Sequence, residues 1–205
     1  MKLLFLHGLG QSAESWKEVQ DLLADYPSEI LELFPSGVCS YEEAKKRVAK
    51  HLSEEKQPFV LIGLSLGATL ALELSSYDLP NLQALVLSGC LLKLAGNILF
   101  KIQLMIFKLL PESFFEKQGA DKTLMVGVSE ELKTLDLTQI AQNCHYPSLL
   151  ICGSKDLPNL ISMRKLYQLL PQAQFQIIPD GSHTLNTDKP KEFAEKTKGF
   201  LETQK

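Results

Sequence analysis

The sequence predicts an α/β fold of about six mostly parallel strands with helices on both faces. Two observations carry this. Short apolar runs alternate with stretches of helical periodicity along most of the chain. The runs at residues 2–6, 58–64 and 148–152 lack the polar alternation of a half-solvated strand, so they read as strands covered on both sides. Parallel strands need right-handed crossovers, and ligands then sit outside the carboxyl ends of the strands. Residues that do chemistry should therefore lie just after strands.

Taken in order, residues 2–6 form the first strand and run into His7-Gly8-Leu9-Gly10. A helix is expected over 15–26, where Trp16, Val19, Leu22 and Leu23 share one face and Pro27 ends it. Residues 29–34 form the second strand, and 41–56 a polar helix with Ala44, Val48 and Leu52 as its buried stripe. The third strand, 58–64, meets a helix over 68–76 at Gly63-Leu64-Ser65-Leu66-Gly67. Residues 83–87 form the fourth strand. The alternation then breaks over 91–146, expected as an inserted lid, with helices over 97–110 and, more weakly, 130–143. It resumes with a strand at 148–152, a helix at 160–170, a strand at 175–178 and a terminal helix at 191–202.

The chain has 205 residues, 45% hydrophobic and 22% charged, with a formal net charge of -3. That suits one domain, 1–205, with a real core. The slightly acidic balance and scattered lysines argue against a nucleic-acid or anionic-membrane surface. Cys39, Cys90, Cys144 and Cys152 form no C-x-x-C and no zinc spacing with histidine. Residues 2–6 are too short for a signal peptide, and no run reaches transmembrane length. A cytoplasmic protein with free thiols is the expectation.

A serine between two glycines at a strand–helix junction is the nucleophile-elbow pattern, although a glycine-flanked turn with an ordinary serine gives the same letters. Its partners must come from other strand ends. His183 follows the sixth strand; His51 lies in the polar helix, His145 at the amino edge of the sheet, and His7 is followed by glycines that suit another role. His183 is therefore the candidate base. Asp156 follows the fifth strand and is the candidate acid, with Asp180 as rival if a tight loop lets it reach the imidazole.

With serine, acid and histidine in that chain order, the sequence resembles the α/β-hydrolase superfamily. The matching pieces are His7-Gly8-Leu9-Gly10, Gly63-Leu64-Ser65-Leu66-Gly67, Gly153-Ser154-Lys155-Asp156 and Gly181-Ser182-His183. The resemblance implies Ser65 as nucleophile, Asp156 as acid and His183 as base, with the backbone N–H groups of Leu9 and Leu66 as oxyanion donors in the substrate site. The chain starts at the strand carrying His7, so a compact version of the fold without the family's usual first two strands is expected.

The expected reaction is hydrolysis of an apolar carboxylic ester or thioester through an acyl-enzyme, with no metal or organic cofactor. The helix at 97–110 is apolar nearly all round and too short to span a bilayer. It would roof the site, with Phe100, Met105 and Phe107 lining an acyl channel or serving as plain core; a homodimer contact or a helix lying on a membrane are the other readings. A lyase, haloperoxidase or acyltransferase on the same fold, or a non-catalytic binding protein, stays open.

Overall fold

The computed structural model describes residues 1–117 and 120–204. Its strands are β1 (Lys2–Leu6), β2 (Ser28–Leu31), β3 (Phe59–Leu64), β4 (Leu82–Ser88), β5 (Ser148–Gly153) and β6 (Ala173–Ile178). They form one sheet in the order β2-β1-β3-β4-β5-β6, and every pairing is parallel. The compact six-stranded α/β-hydrolase fold expected from the sequence is the fold observed.

Alternation along each strand divides the core in two. Leu3 and Phe5 of β1, Val60 and Ile62 of β3, and Leu149 and Ile151 of β5 face one side. Leu4 and Leu6, Phe59 and Leu61, and Leu150 and Cys152 face the other. Both sets are buried because helices cover both faces, which is why these strands read as unbroken apolar runs.

On the first face lie α1 (Lys17–Leu22), preceded by a 3₁₀ turn at Ala13–Trp16, and the terminal α10 (Pro190–Glu202). Trp16 joins them to the sheet, with its ring centroid 5.2 Å from Phe5 and 5.3 Å from Phe193. On the second face lie α2 (Tyr41–Glu54), α3 (Leu66–Leu74) and α8 (Leu157–Leu169). The stripe Ala44, Val48 and Leu52 of α2 is buried as its spacing predicts.

Between β4 and β5 come α4 (Ile98–Leu109), α5 (Glu112–Glu116), α6 (Lys122–Leu132) and α7 (Thr138–Asn143). A short α9 (Leu185–Asp188) precedes α10. No helix among the described residues is long and apolar enough to cross a membrane.

Three expectations need correction. The helix expected over 15–26 starts as a 3₁₀ turn and ends at Leu22. Strand β2 stops at Leu31 rather than at 34, because β1, its one neighbour, ends opposite it at Leu6, and the Leu33 N–H is taken by His7 Nε2 at 3.0 Å instead of a strand carbonyl. The single helix expected over 130–143 is the end of α6 and all of α7, with a break between. Residues in that break pair with the chain leaving β4: Leu94 N–H donates to Leu135 O at 2.9 Å, and Leu137 N–H to Leu92 O at 2.9 Å. Leu135 O also accepts from Ala95 N–H at 3.0 Å, so both its lone pairs are used outside a helix.

Truncating the ring that joins three elements should be costly. Trp16→Ala is expected to lower unfolding free energy by about 3–5 kcal/mol, read from urea denaturation with an unchanged m-value.

Candidate active site

Ser65 sits between β3 and α3 with φ 53° and ψ -112°, a conformation that L-residues avoid. Such a residue costs about 1–3 kcal/mol and persists only where its surroundings hold it. Here three bonds do so. Ser65 N–H donates to Ser88 O at 2.7 Å, while the Thr69 N–H and hydroxyl both donate to Ser65 O at 2.9 Å. The flanking glycines give the room. A Cβ on Gly63 would lie 2.4 Å from the Gly67 carbonyl carbon, and one on Gly67 would lie 2.2 Å from Leu6 O. Strand β3, helix α3 and the end of β1 thus meet backbone to backbone.

The acid and the histidine are brought together by a second close approach. A Cβ on Gly153, at the end of β5, would lie 2.3 Å from Gly181 O. Across this contact Ser154 N–H donates to Ile178 O at 3.0 Å, and Lys155 N–H to Gly181 O at 2.9 Å. The two loops then run side by side, and Asp156 Oδ2 lies 2.7 Å from His183 Nδ1. Asn159 Nδ2 donates to the other carboxylate oxygen at 2.8 Å. Burial alone would raise the Asp156 carboxyl, but the hydrogen bonds from His183 and Asn159 outweigh it and hold it below the usual range. The rival Asp180 points to the surface and faces Lys155 at 3.3 Å.

Ser65 and His183 line one cavity of about 690 Å³, with Leu9 and Leu66 beside them. Ser65 Oγ makes no hydrogen bond among the described residues, a common state before substrate tightens the site. Leu66 is the first residue of α3, so its N–H has no carbonyl a turn earlier within the helix. On the facing loop the Gly8 N–H is taken by Gln11 Oε1 at 3.1 Å, whereas Leu9 N–H has no acceptor among the described residues. Two unclaimed donors beside a serine can meet an oxyanion.

The remaining histidines lie elsewhere. His7 is fully buried under this loop, with Nδ1 2.9 Å from Gly8 O and Nε2 2.7 Å from Glu32 Oε1. Burial would raise the Glu32 carboxyl, but the Ala13 N–H and the His7 ring hold it below the usual range. His51 is 3.3 Å from Glu29, and His145 stacks on Tyr146. Among the described residues no group of three His, Cys, Asp or Glu is placed to hold a metal ion.

The cavity wall is mainly apolar. Phe100 and Phe107 of α4 line it, as the sequence suggests, but Met105 is 55% exposed and faces away. The helix is α-helical, so Met105 falls on the opposite side from those two rings. Met125 and Leu132 of α6 take its place. A second hollow of about 570 Å³ shares Leu92, Asn97, Pro158 and Ile161 with the first, and so continues it.

Sequence reasoning misses four supporting residues. Gly89 has φ 59° and lies against the His183 ring. Asn159 supports Asp156 from α8. Gln11 and the fully buried Asn186 bond each other at 3.2 and 3.3 Å, tying the Leu9 loop to the segment after His183. Of these, Gly89 alone carried a local signal, as a glycine one residue past a strand end.

The sequence matches the model of the Alpha/beta hydrolase family over residues 3–196. No curated protein matches it. Among solved structures it is similar to a lipase-esterase related protein from Clostridium acetobutylicum, at 21% identity and TM-score 0.82 over 97% of this chain and 93% of that one. It is also similar to MenH from S. aureus, at 15% identity and TM-score 0.80 over 100% and 94% of the two chains. A bromoperoxidase from Bacillus anthracis aligns at 19% identity and TM-score 0.79 over 98% and 91%. At these identities the likeness concerns the fold, and a lipase-esterase related protein and a bromoperoxidase share it.

A methyl group at Gly89 would lie 2.9 Å from His183 Cε1. Gly89→Ala should therefore fold, with stability lowered by about 1–2 kcal/mol from the positive φ, but lose at least about 100-fold in the rate of Ser65 labelling by a fluorophosphonate. Asp156 and Glu32 both ionise more readily folded than unfolded. Their stabilisation is complete above the ordinary carboxylate range near about pH 4 and is lost as pH falls through the lower folded values. Glu32→Gln should lower Tm at neutral pH and make Tm fall less steeply on acidification, followed by circular dichroism.

Proposed function

The chain belongs to the alpha/beta hydrolase family, and from that premise we propose that it is a serine hydrolase of the carboxylesterase or lipase kind. It cleaves a carboxylic ester or thioester with an apolar acyl group through an acyl-enzyme on Ser65. The observation that carries this reading is one apolar cavity holding both a serine on a strained turn and a histidine 2.7 Å from a buried aspartate.

In this reading His183 Nε2 takes the proton of Ser65 as Oγ attacks the carbonyl carbon. The C=O electron pair moves onto oxygen, facing the N–H groups of Leu66 and Leu9. Collapse expels the alcohol or thiol, which receives the proton from His183, and leaves an acyl group on Ser65. Water, deprotonated by the same histidine, repeats the sequence and releases the acid. Asp156 holds the Nδ1–H tautomer and stabilises the imidazolium.

Residues 91–146 act as the lid of this site, since that segment supplies most of the apolar wall, with Phe100 and Phe107 from α4 and Met125 and Leu132 from α6. Phe100, Phe107 and Met125 hold the acyl chain, and the second hollow receives its continuation. A cytoplasmic setting suits four cysteines that are all free thiols.

A fluorophosphonate should label the wild type and leave Ser65→Ala unlabelled; absence of labelling on folded wild type would favour a binding protein. With p-nitrophenyl esters, kcat/KM should rise with acyl length until the cavity is filled, and Asp156→Asn should lower kcat by about 10⁴-fold. Labelling without turnover at any chain length would instead favour a lyase, haloperoxidase or acyltransferase.

A further inference from the structure

Helix α4 has two apolar faces, and the site uses only one. Phe100, Leu104 and Phe107 face inward, to the cavity and the core. Ile98, Ile102, Met105, Ile106 and Leu109 fall at i, i+4, i+7, i+8 and i+11 and form a second stripe, each 44% to 79% exposed. The helix is capped at both ends. Asn97 caps the amino end, accepting from Phe100 N–H at 3.1 Å. At the carboxyl end Lys122 Nζ donates to Leu110 O at 2.6 Å and to Lys108 O at 3.1 Å. The stripe is held toward water, where such contiguous apolar surface marks an interaction site.

Charge identifies the occupant. The chain as a whole carries -3, yet helix α4 itself carries Lys101 and Lys108 and no acidic residue; Lys108 pairs with Glu130, as Lys93 before the helix pairs with Asp136, which leaves Lys101 as the cation of this face. Lys101 and Lys108 lie along one edge of the exposed stripe by helical spacing, and Lys101 makes no ion pair among the described residues. A surface of anionic headgroups over hydrocarbon meets both features, Lys101 with its charge and the stripe with its interior. The whole-chain balance, which argues against such a partner, does not describe this face.

We infer that the outer face of α4, the stripe Ile98, Ile102, Met105, Ile106 and Leu109 with Lys101 at its edge, docks the protein on the surface of an anionic lipid bilayer. Docking goes beyond the hydrolase reading and does not need it. The apolar stripe enters the acyl boundary, Lys101 stays at the headgroups, and the helix lies in the plane of the surface.

The test uses the full-length Ser65→Ala protein, so that binding is read without turnover. It should co-sediment with vesicles of phosphatidylglycerol and phosphatidylcholine, more weakly with phosphatidylcholine alone, and less as salt is raised. Ile106→Ser/Leu109→Ser should lower the partition coefficient at least about tenfold. Lys101→Glu should lower it at least about fivefold on the anionic vesicles only. All these positions are exposed, and an unchanged circular dichroism spectrum confirms that the variants fold. Failure to bind either vesicle, or equal binding by the variants, would overturn the inference. So would a dimer in sedimentation velocity that Ile106→Ser/Leu109→Ser abolishes, which would assign the stripe to a second copy. None of these outcomes alters whether wild-type Ser65 reacts with a fluorophosphonate, so the two readings fail separately.

Discussion

A Cβ on Gly67 would lie 2.2 Å from the carbonyl oxygen of Leu6, and this backbone contact between α3 and the end of β1 governs the site. It sets how close the first turn of α3 comes to the loop carrying Leu9. It also leaves the chain no room for an ordinary turn, so Ser65 takes a positive φ. The strain is offset by bonds that belong to the sheet and helix themselves: Ser88 O accepts from Ser65, and Thr69 closes on its carbonyl. Thr69 Oγ1 also accepts from Leu91 N–H at 3.0 Å, so the turn is linked to the chain that leaves β4 for α4. A rigid serine and the start of the cavity roof therefore share one anchor.

The histidine side obeys the same rule with different parts. Gly153 and Gly181 let two strand ends approach closely, and cross-loop backbone bonds hold Asp156 and His183 abreast. Two such knots would still be independent if nothing joined them. The Gln11–Asn186 pair does so from beneath, reaching from the loop after β1 to the helix after His183. Asn186 is fully buried and its amide is satisfied by Gln11 and Ser15. A buried amide with every partner in place gives a defined geometry, whereas a half-satisfied one would be costly.

How much of this can be read from the letters follows from the range of each interaction. Strands β1, β3 and β5 are legible because burial on both faces removes polar residues from them altogether. Ser65, Asp156 and His183 are legible as candidates because parallel topology puts every strand's carboxyl end on one rim, so position in the chain predicts position in space. The early end of β2 is not legible: it is set by the end of β1 and by His7, which takes the Leu33 N–H and lies far from it in sequence. The break between α6 and α7 has the same origin, since Leu135 and Leu137 pair with residues over forty positions earlier. Local propensity favours helix there, and a tertiary pairing overrides it. Gln11 and Asn186 are ordinary polar letters until the fold places them together.

Helix α4 illustrates the limit most clearly. Its sequence is apolar nearly all round, which by itself says only that water is unfavourable on every side. The fold then resolves the helix into an inner face that meets the cavity through Phe100 and Phe107 and an outer face whose five apolar residues stay 44% to 79% exposed. If packing against the site were the whole reason for this composition, the outer positions would be free to be polar, and lysine and glutamate would serve there at no cost to the helix. The five apolar residues on that face are instead retained where they expose hydrocarbon to water. The inner face explains how the helix closes the cavity, and the composition of the outer face is what the proposed docking on a bilayer would account for.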